Sequence, residues 1–260
     1  MLARIRSMPL FRLLAIAACT LASLPGISLT AAEPAEETAG DVLASAAEND
    51  QFTFILFWKA NDEATHAMGK SLDALAPQYE ERAVATSIQI GGAEDQDIVK
   101  RLNVSRFPMP LIVSVAPNGA ITGYFQKTFT AENVTKALVT PTMTQCMKSM
   151  QGGKIVLVCA QPGESGVVPK GARDLHNDPS FKERTVVVRL VTNDPAEARF
   201  LKELKIDAKD TSVQTAILAP PGVLVGKFSA NASKDDMAAK LHAAGKCCDD
   251  ENCKHNVKGK

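Results

Sequence analysis

The sequence predicts an α/β protein built as two tandem α/β/α sandwich domains, the second diverged from the first. Three observations carry this: an internal repeat, apolar runs of strand length alternating with helical stripes, and a Pro-Gly turn inside each repeat. The segment Ala116-Pro117-Asn118-Gly119-Ala120-Ile121-Thr122-Gly123-Tyr124-Phe125 returns as Ala219-Pro220-Pro221-Gly222-Val223-Leu224-Val225-Gly226-Lys227-Phe228, 103 residues later. Upstream, Asp95 to Val104 sets against Glu197 to Ile206, Val84 to Ile88 against Val186 to Leu190, and Phe54-Ile55-Leu56-Phe57 against Val156-Leu157-Val158-Cys159, all at 102. A unit of about a hundred residues is too long for a solenoid turn of roughly 20–50 and suits a small domain with its own core.

In the first unit, Phe52 to Trp58 is a continuous apolar run, as expected of a strand buried on both faces. Asn61 or Asp62 can cap the helix that follows, in which Met68, Leu72, Leu75 and Tyr79 fall on one stripe. A second strand is expected over Val84 to Ile90 and a short helix over Asp95 to Leu102. Two strands then meet at Pro117-Asn118-Gly119, and Thr130 caps a final helix through Val134, Ala137 and Leu138. The second unit repeats the order with strands Ile155 to Cys159 and Thr185 to Leu190. A helix opened by Asp194-Pro195-Ala196-Glu197 follows, then a hairpin across Pro220-Pro221-Gly222 and a helix opened by Ser233.

The ends of the chain differ from this body. Arg4, Arg6 and Arg12 precede an apolar stretch, Leu13 to Leu29, that ends in Thr30-Ala31-Ala32, which reads as a signal peptide over 1–32 and hence as export to the periplasm or outside the cell. Ile16-Ala17-Ala18-Cys19 also fits a lipobox, in which case Cys19 would anchor the protein to a membrane. Residues 33–41 read as a linker, 42–140 as the first domain, 141–245 as the second, and 246–260 as a Cys-rich, flexible tail. The 29 basic residues balance 29 acidic ones, which argues against a nucleic-acid or anionic-membrane surface.

The first unit resembles a thioredoxin-like domain. Phe57-Trp58 stands where that family's strand enters its active-site loop, and Val104-Ser105-Arg106-Phe107-Pro108 resembles the segment ending in its cis-proline, which implies that Pro108 is cis. The resemblance spans about Asp41 to Leu138 and reaches Lys154 to Leu241 through the repeat. It further implies a substrate groove built from Phe57, Trp58, Phe107 and Pro108. The family's oxidoreductases carry Cys-x-x-Cys where this chain has Asp62-Glu63-Ala64-Thr65, so Trp58, Asp62, Glu63, Ala64 and Thr65 mark a degenerate redox site. Thiol exchange needs a stabilised thiolate and a second thiol to resolve the mixed disulfide, and a carboxylate and a hydroxyl supply neither. Asp62 and Glu63 instead suit an N-terminal cap.

The second unit has Gln161-Pro162-Gly163-Glu164-Ser165-Gly166 at the matching loop, with Gln214 or a neighbour at the proline position. Cys159 is expected to be inert in a strand. Cys146, among Met143, Met147 and Met150, suggests either core packing or a soft-metal site. The tail holds Cys247, Cys248, Cys253 and His255, which could form a disulfide, bind zinc or copper, or exchange thiols. The sequence therefore points to an exported, non-catalytic thioredoxin-like protein that binds a polypeptide or envelope partner, with tail chemistry as the alternative.

Overall fold

The computed structural model describes residues 38–163 and 166–245. The leader with Cys19 and the tail with Cys247, Cys248, Cys253 and His255 lie outside the described residues. No helix among the described residues is long and apolar enough to cross a membrane.

Each unit carries the same eight elements in the same order. The first runs α1 (Ala39–Glu48), β1 (Phe52–Trp58), α2 (Glu63–Leu75), β2 (Ala83–Gln89), α3 (Gln96–Arg101), β3 (Leu111–Val115), β4 (Ile121–Gln126) and α4 (Ala131–Ala137). The second runs α5 (Pro141–Gln151), β5 (Ile155–Gln161), α6 (Lys170–Asn177), β6 (Thr185–Val191), α7 (Ala198–Glu203), β7 (Gln214–Ala219), β8 (Val223–Ser229) and α8 (Lys234–Ala243). The sheets have orders β2-β1-β3-β4 and β6-β5-β7-β8, with the first pair parallel and the others antiparallel.

Both opening helices are additions to the sequence reading. The segment expected to be a linker up to residue 41 turns helical at Ala39, because Thr38 and Asp41 form a capping box that satisfies backbone donors from both sides (Asp41 N to Thr38 Oγ1 3.2 Å, Thr38 N to Asp41 Oδ2 3.1 Å). At α5, the Thr140 hydroxyl accepts from Met143 N at 3.2 Å and Pro141 occupies the first turn.

Every residue of β1 except Trp58 is buried, and its side chains alternate between two cores. Phe52, Phe54 and Leu56 pack with Met68, Leu72 and Val134 of α2 and α4, whereas Ile55 and Phe57 pack with Ala39, Ile98 and Val99 of α1 and α3. In the second unit, Leu157 and Cys159 meet α6 and α8 through Leu175, Met237 and Leu241. Phe54 thus corresponds to Leu157 and not to Val156. The β-pairing agrees: Phe57 faces Leu111 and Ala160 faces Gln214, so β1 maps onto β5 and β3 onto β7 with an offset of 103, whereas β2 maps onto β6 at 102 (Ala83 to Thr185). The offset of 102 expected for Phe54 to Phe57 is corrected to 103, since a slip of one residue would turn every side chain of β5 to the wrong face.

Candidate functional site

The first unit places a cleft of about 320 Å³ beyond the C-terminal ends of β1 and β2. Lys59, Ala60, Asp62 and Thr65 form one wall, with Ile90, Ser105, Phe107 and Met109 completing it. The wall at α2 is fixed by its own hydrogen bonds. Asp62 is the N-cap and its Oδ1 accepts from Thr65 N at 2.9 Å, while the buried Thr65 hydroxyl donates to Ala60 O at 2.9 Å. The hydrogen bond from the Thr65 amide, with the Thr65 side chain close by, holds the Asp62 carboxyl below its ordinary pKa. Glu63 and Ala64 follow in the first turn, exposed, as is His66. The carboxylate acts as the helix cap and the hydroxyl ties the helix to the preceding loop, and among the described residues no thiol lines the cleft.

The opposite wall corrects two expectations. Pro108 is not cis; the cis bond is Met109–Pro110. Phe107 closes a 3₁₀ turn (its N–H donates to Val104 O at 2.9 Å) and leaves it extended, so Pro108 stands three residues ahead of β3, whereas Pro110 immediately precedes Leu111, the first residue of β3 to face β1. The proline that matters is the one that abuts the strand, and two prolines one residue apart made the nearer motif match misleading. Phe57 is fully buried and does not line this cleft, because alternation along β1 sends it into the α1/α3 core. Trp58 points the other way and packs, half-buried, against the opposite core. Of the four groove candidates Phe107 alone lines this cleft, while Lys59, Ala60, Ile90, Ser105 and Met109 were missed; Met109 could have been found from its place beside Pro110.

A parallel β-α-β half, an antiparallel hairpin and a closing helix, present in both units, decide the fold, and the first unit adds a cis-proline just ahead of β3. Each unit is thioredoxin-like. No protein-family model matches the chain, and no curated protein matches its sequence. Among solved structures, the chain is similar to the first two thioredoxin domains of Saccharomyces cerevisiae Eps1p at 11% identity, covering 76% of this chain and 91% of that one with a TM-score of 0.31. It is also similar to human ERp44 in a zinc-bound form (9% identity, 79% of this chain and 58% of that one, TM-score 0.32). The thioredoxin Deadhead of Drosophila melanogaster matches one unit's length (19% identity, 34% of this chain and 81% of that one, TM-score 0.29).

The second thioredoxin-like unit departs further from a redox site. Gln161 takes the place of Trp58 and is buried, its amide lying against Gly166 so closely that a Cβ there would come within 1.9 Å of it. Val213, the residue before Gln214, takes the place of Pro110.

The two cysteines among the described residues are both free and buried. Burial pushes the Cys146 thiol up to about 12, with the nearby Glu197 carboxylate adding to the shift. Burial pushes Cys159 up to about 11, opposed in part by Thr215. Neither forms an appreciable thiolate near neutral pH, which is the species that attacks disulfides. Among the described residues no group of three or more His, Cys, Asp or Glu is placed to hold a metal.

Proposed function

We propose that this chain is an exported thioredoxin-like protein that binds a polypeptide or envelope partner and performs no thiol chemistry in its two domains. One observation carries the reading: Asp62 and Thr65 are committed to each other as a helix cap at the site where redox chemistry would need two thiols. The buried, protonated Cys146 and Cys159 support it, and the arginine-rich start of the chain ahead of an apolar stretch supports export. What remains at the cleft is Phe107 and Met109 beside Ser105 and Lys59, surfaces that hold a chain by apolar contact and hydrogen bonds.

The cysteine cluster of the tail supports a second reading, in which Cys247, Cys248, Cys253 and His255 exchange thiols or bind zinc or copper. A single experiment separates the two. The mature chain and a variant carrying Cys247→Ser, Cys248→Ser and Cys253→Ser are compared for insulin reduction and for binding of reduced, carboxymethylated lactalbumin. The expected result is binding by both and reduction by neither. Reduction by the unsubstituted chain alone favours the tail, and reduction by the variant overturns the reading of the domains.

A further inference from the structure

The cleft beside Met109 does not end at Phe107. The Phe107 ring stacks on Tyr124 with centroids 4.9 Å apart and planes 21° apart, and Tyr124 is 42% exposed. Tyr124 stands where two larger clefts meet. One, of about 690 Å³, opens between α1, α3 and the start of β4; its walls include Arg101, Arg106 and Lys148 and, among the described residues, no Asp or Glu. The other, of about 570 Å³, lies between β4, α5 and the β7–β8 turn and is walled by Met143, Met147, Met150, Phe200 and Leu224. The one carboxylate among the described residues of its wall, Glu203, already accepts from Arg199 Nε at 3.2 Å. Ile121, Tyr124 and Gln151 line both clefts, which makes them one groove along β4.

The two halves of this groove differ in chemistry. Arg101 and Arg106 are exposed and meet no carboxylate among the described residues, and Arg106 lies 5.3 Å over the Phe107 ring. Lys148 donates to Gly119 O at 3.1 Å, which leaves its charge unneutralised. A concave wall of one sign with apolar surroundings focuses its field on whatever enters. Tyrosine and arginine at the centre of a surface are the side chains that dominate protein recognition. The methionines across the Tyr124 ridge supply an apolar surface that reshapes around different side chains. Taken together, the clefts exceed the roughly 300–1,000 Å³ that one small ligand fills. A segment of chain matches this length better than a small anion does.

We propose that this groove binds an extended segment of a partner polypeptide in which Asp or Glu residues adjoin large apolar ones. The carboxylates lie on Arg101 and Arg106 and the apolar side chains lie on the α5 methionines. This rests on the polypeptide-binding reading above and gives the partner its chemistry.

The test uses the full chain and a fluorescein-labelled twelve-residue peptide with a Glu-rich half and a Leu/Phe-rich half, followed by anisotropy. Two control peptides replace Glu by Gln or Leu/Phe by Ser. The composite peptide should bind most tightly, with each control weaker by about tenfold and with affinity falling as salt is raised. Arg101→Glu together with Arg106→Glu should weaken it by about tenfold or more, whereas Arg101→Lys with Arg106→Lys should retain most binding. Equal affinity for the Gln peptide, or indifference to the charge reversals, overturns the proposal. Tighter binding on Asp249→Asn, Asp250→Asn and Glu251→Gln would assign the groove to this chain's own tail and overturn the partner assignment. Carboxymethylated lactalbumin lost on Met109→Glu, with no peptide response to the arginine reversals, sinks this proposal while leaving the general reading intact. Failure of every peptide and of lactalbumin to bind sinks both.

Discussion

At Asp62 a carboxylate sits where sulfur would be needed, and its lowered pKa has a direction that can be checked. A group whose folded pKa lies below its ordinary 3.8 stabilises the fold above that value and loses the contribution as pH falls through the depressed one. Asp62→Asn should therefore flatten the loss of stability on acidification below about pH 4, measured by urea melts across pH. The buried thiols work at the other end of the scale. Cys146 and Cys159 are raised from about 9 to about 12 and about 11, so their contribution is complete below pH 9 and is lost as pH rises toward those values. Cys146→Ala should shrink the alkaline loss of stability between about pH 9 and 12, and neither thiol should react with a thiol reagent at pH 7 until the protein unfolds. Much at this scale was legible in the sequence: the missing thiols at the helix start, the cap at Asp62 and the burial of Cys159 in its strand. What was not legible is which way Phe57 and Trp58 point, because a strand buried on both faces has no polar alternation to read.

Elements reveal costs that a single residue hides. The Thr140 hydroxyl caps α5 and also donates to Glu197 Oε2 at 2.8 Å, a carboxylate only 4% exposed. Thr140→Ala should cost about 2–3 kcal/mol, against about 1 kcal/mol for the exposed cap Thr130→Ala, because it also strips a donor from a buried carboxylate. Equal losses in denaturant titrations would show that the Glu197 contact contributes nothing. A second case lies where α6 crosses the start of α8. A Cβ on Gly171 would come within 2.1 Å of Ala232 O, a backbone atom that cannot step aside as a side chain would. Gly171→Ala should destabilise by about 1–3 kcal/mol despite the better helix propensity of alanine. The sequence marked Glu197 as a capping residue, from the spacing Asp194-Pro195-Ala196-Glu197. Asp194 does cap, accepting from Ala196 N at 2.9 Å, but Glu197 turns inward to a partner 57 residues away that no local pattern encodes. Around Cys146 the methionine spacing allowed core packing or a soft-metal site, and Met143 and Cys146 are buried in the core with Met147 and Met150 packed against it; what the sequence reading lacked was the capped helix, α5, that carries them.

For the whole molecule, the repeat foretold two units but not how firmly they are joined. One apolar cluster runs from Phe54 and Leu72 through Val139 and Met143 to Val158 and Leu201, crossing from the first unit into the second. Polar ties reinforce it: Arg199 reaches the carbonyls of Thr135 and Lys136 at 3.4 and 3.0 Å. Heat should therefore unfold both units in one calorimetric transition whose van't Hoff and calorimetric enthalpies agree, and two resolved transitions would mean that the shared cluster is energetically idle. Gln151 ties the units in another way. Its side-chain amide donates to Ile121 O at 2.7 Å and accepts from Ile121 N at 3.0 Å, so it meets the margin of β4 as a neighbouring strand's peptide group would. A sheet margin left bare is a template on which another molecule's strand can add, and from there aggregation proceeds. By occupying both groups at the start of this edge strand, one glutamine from the second unit covers the stretch of margin where a foreign strand would begin to pair with the first.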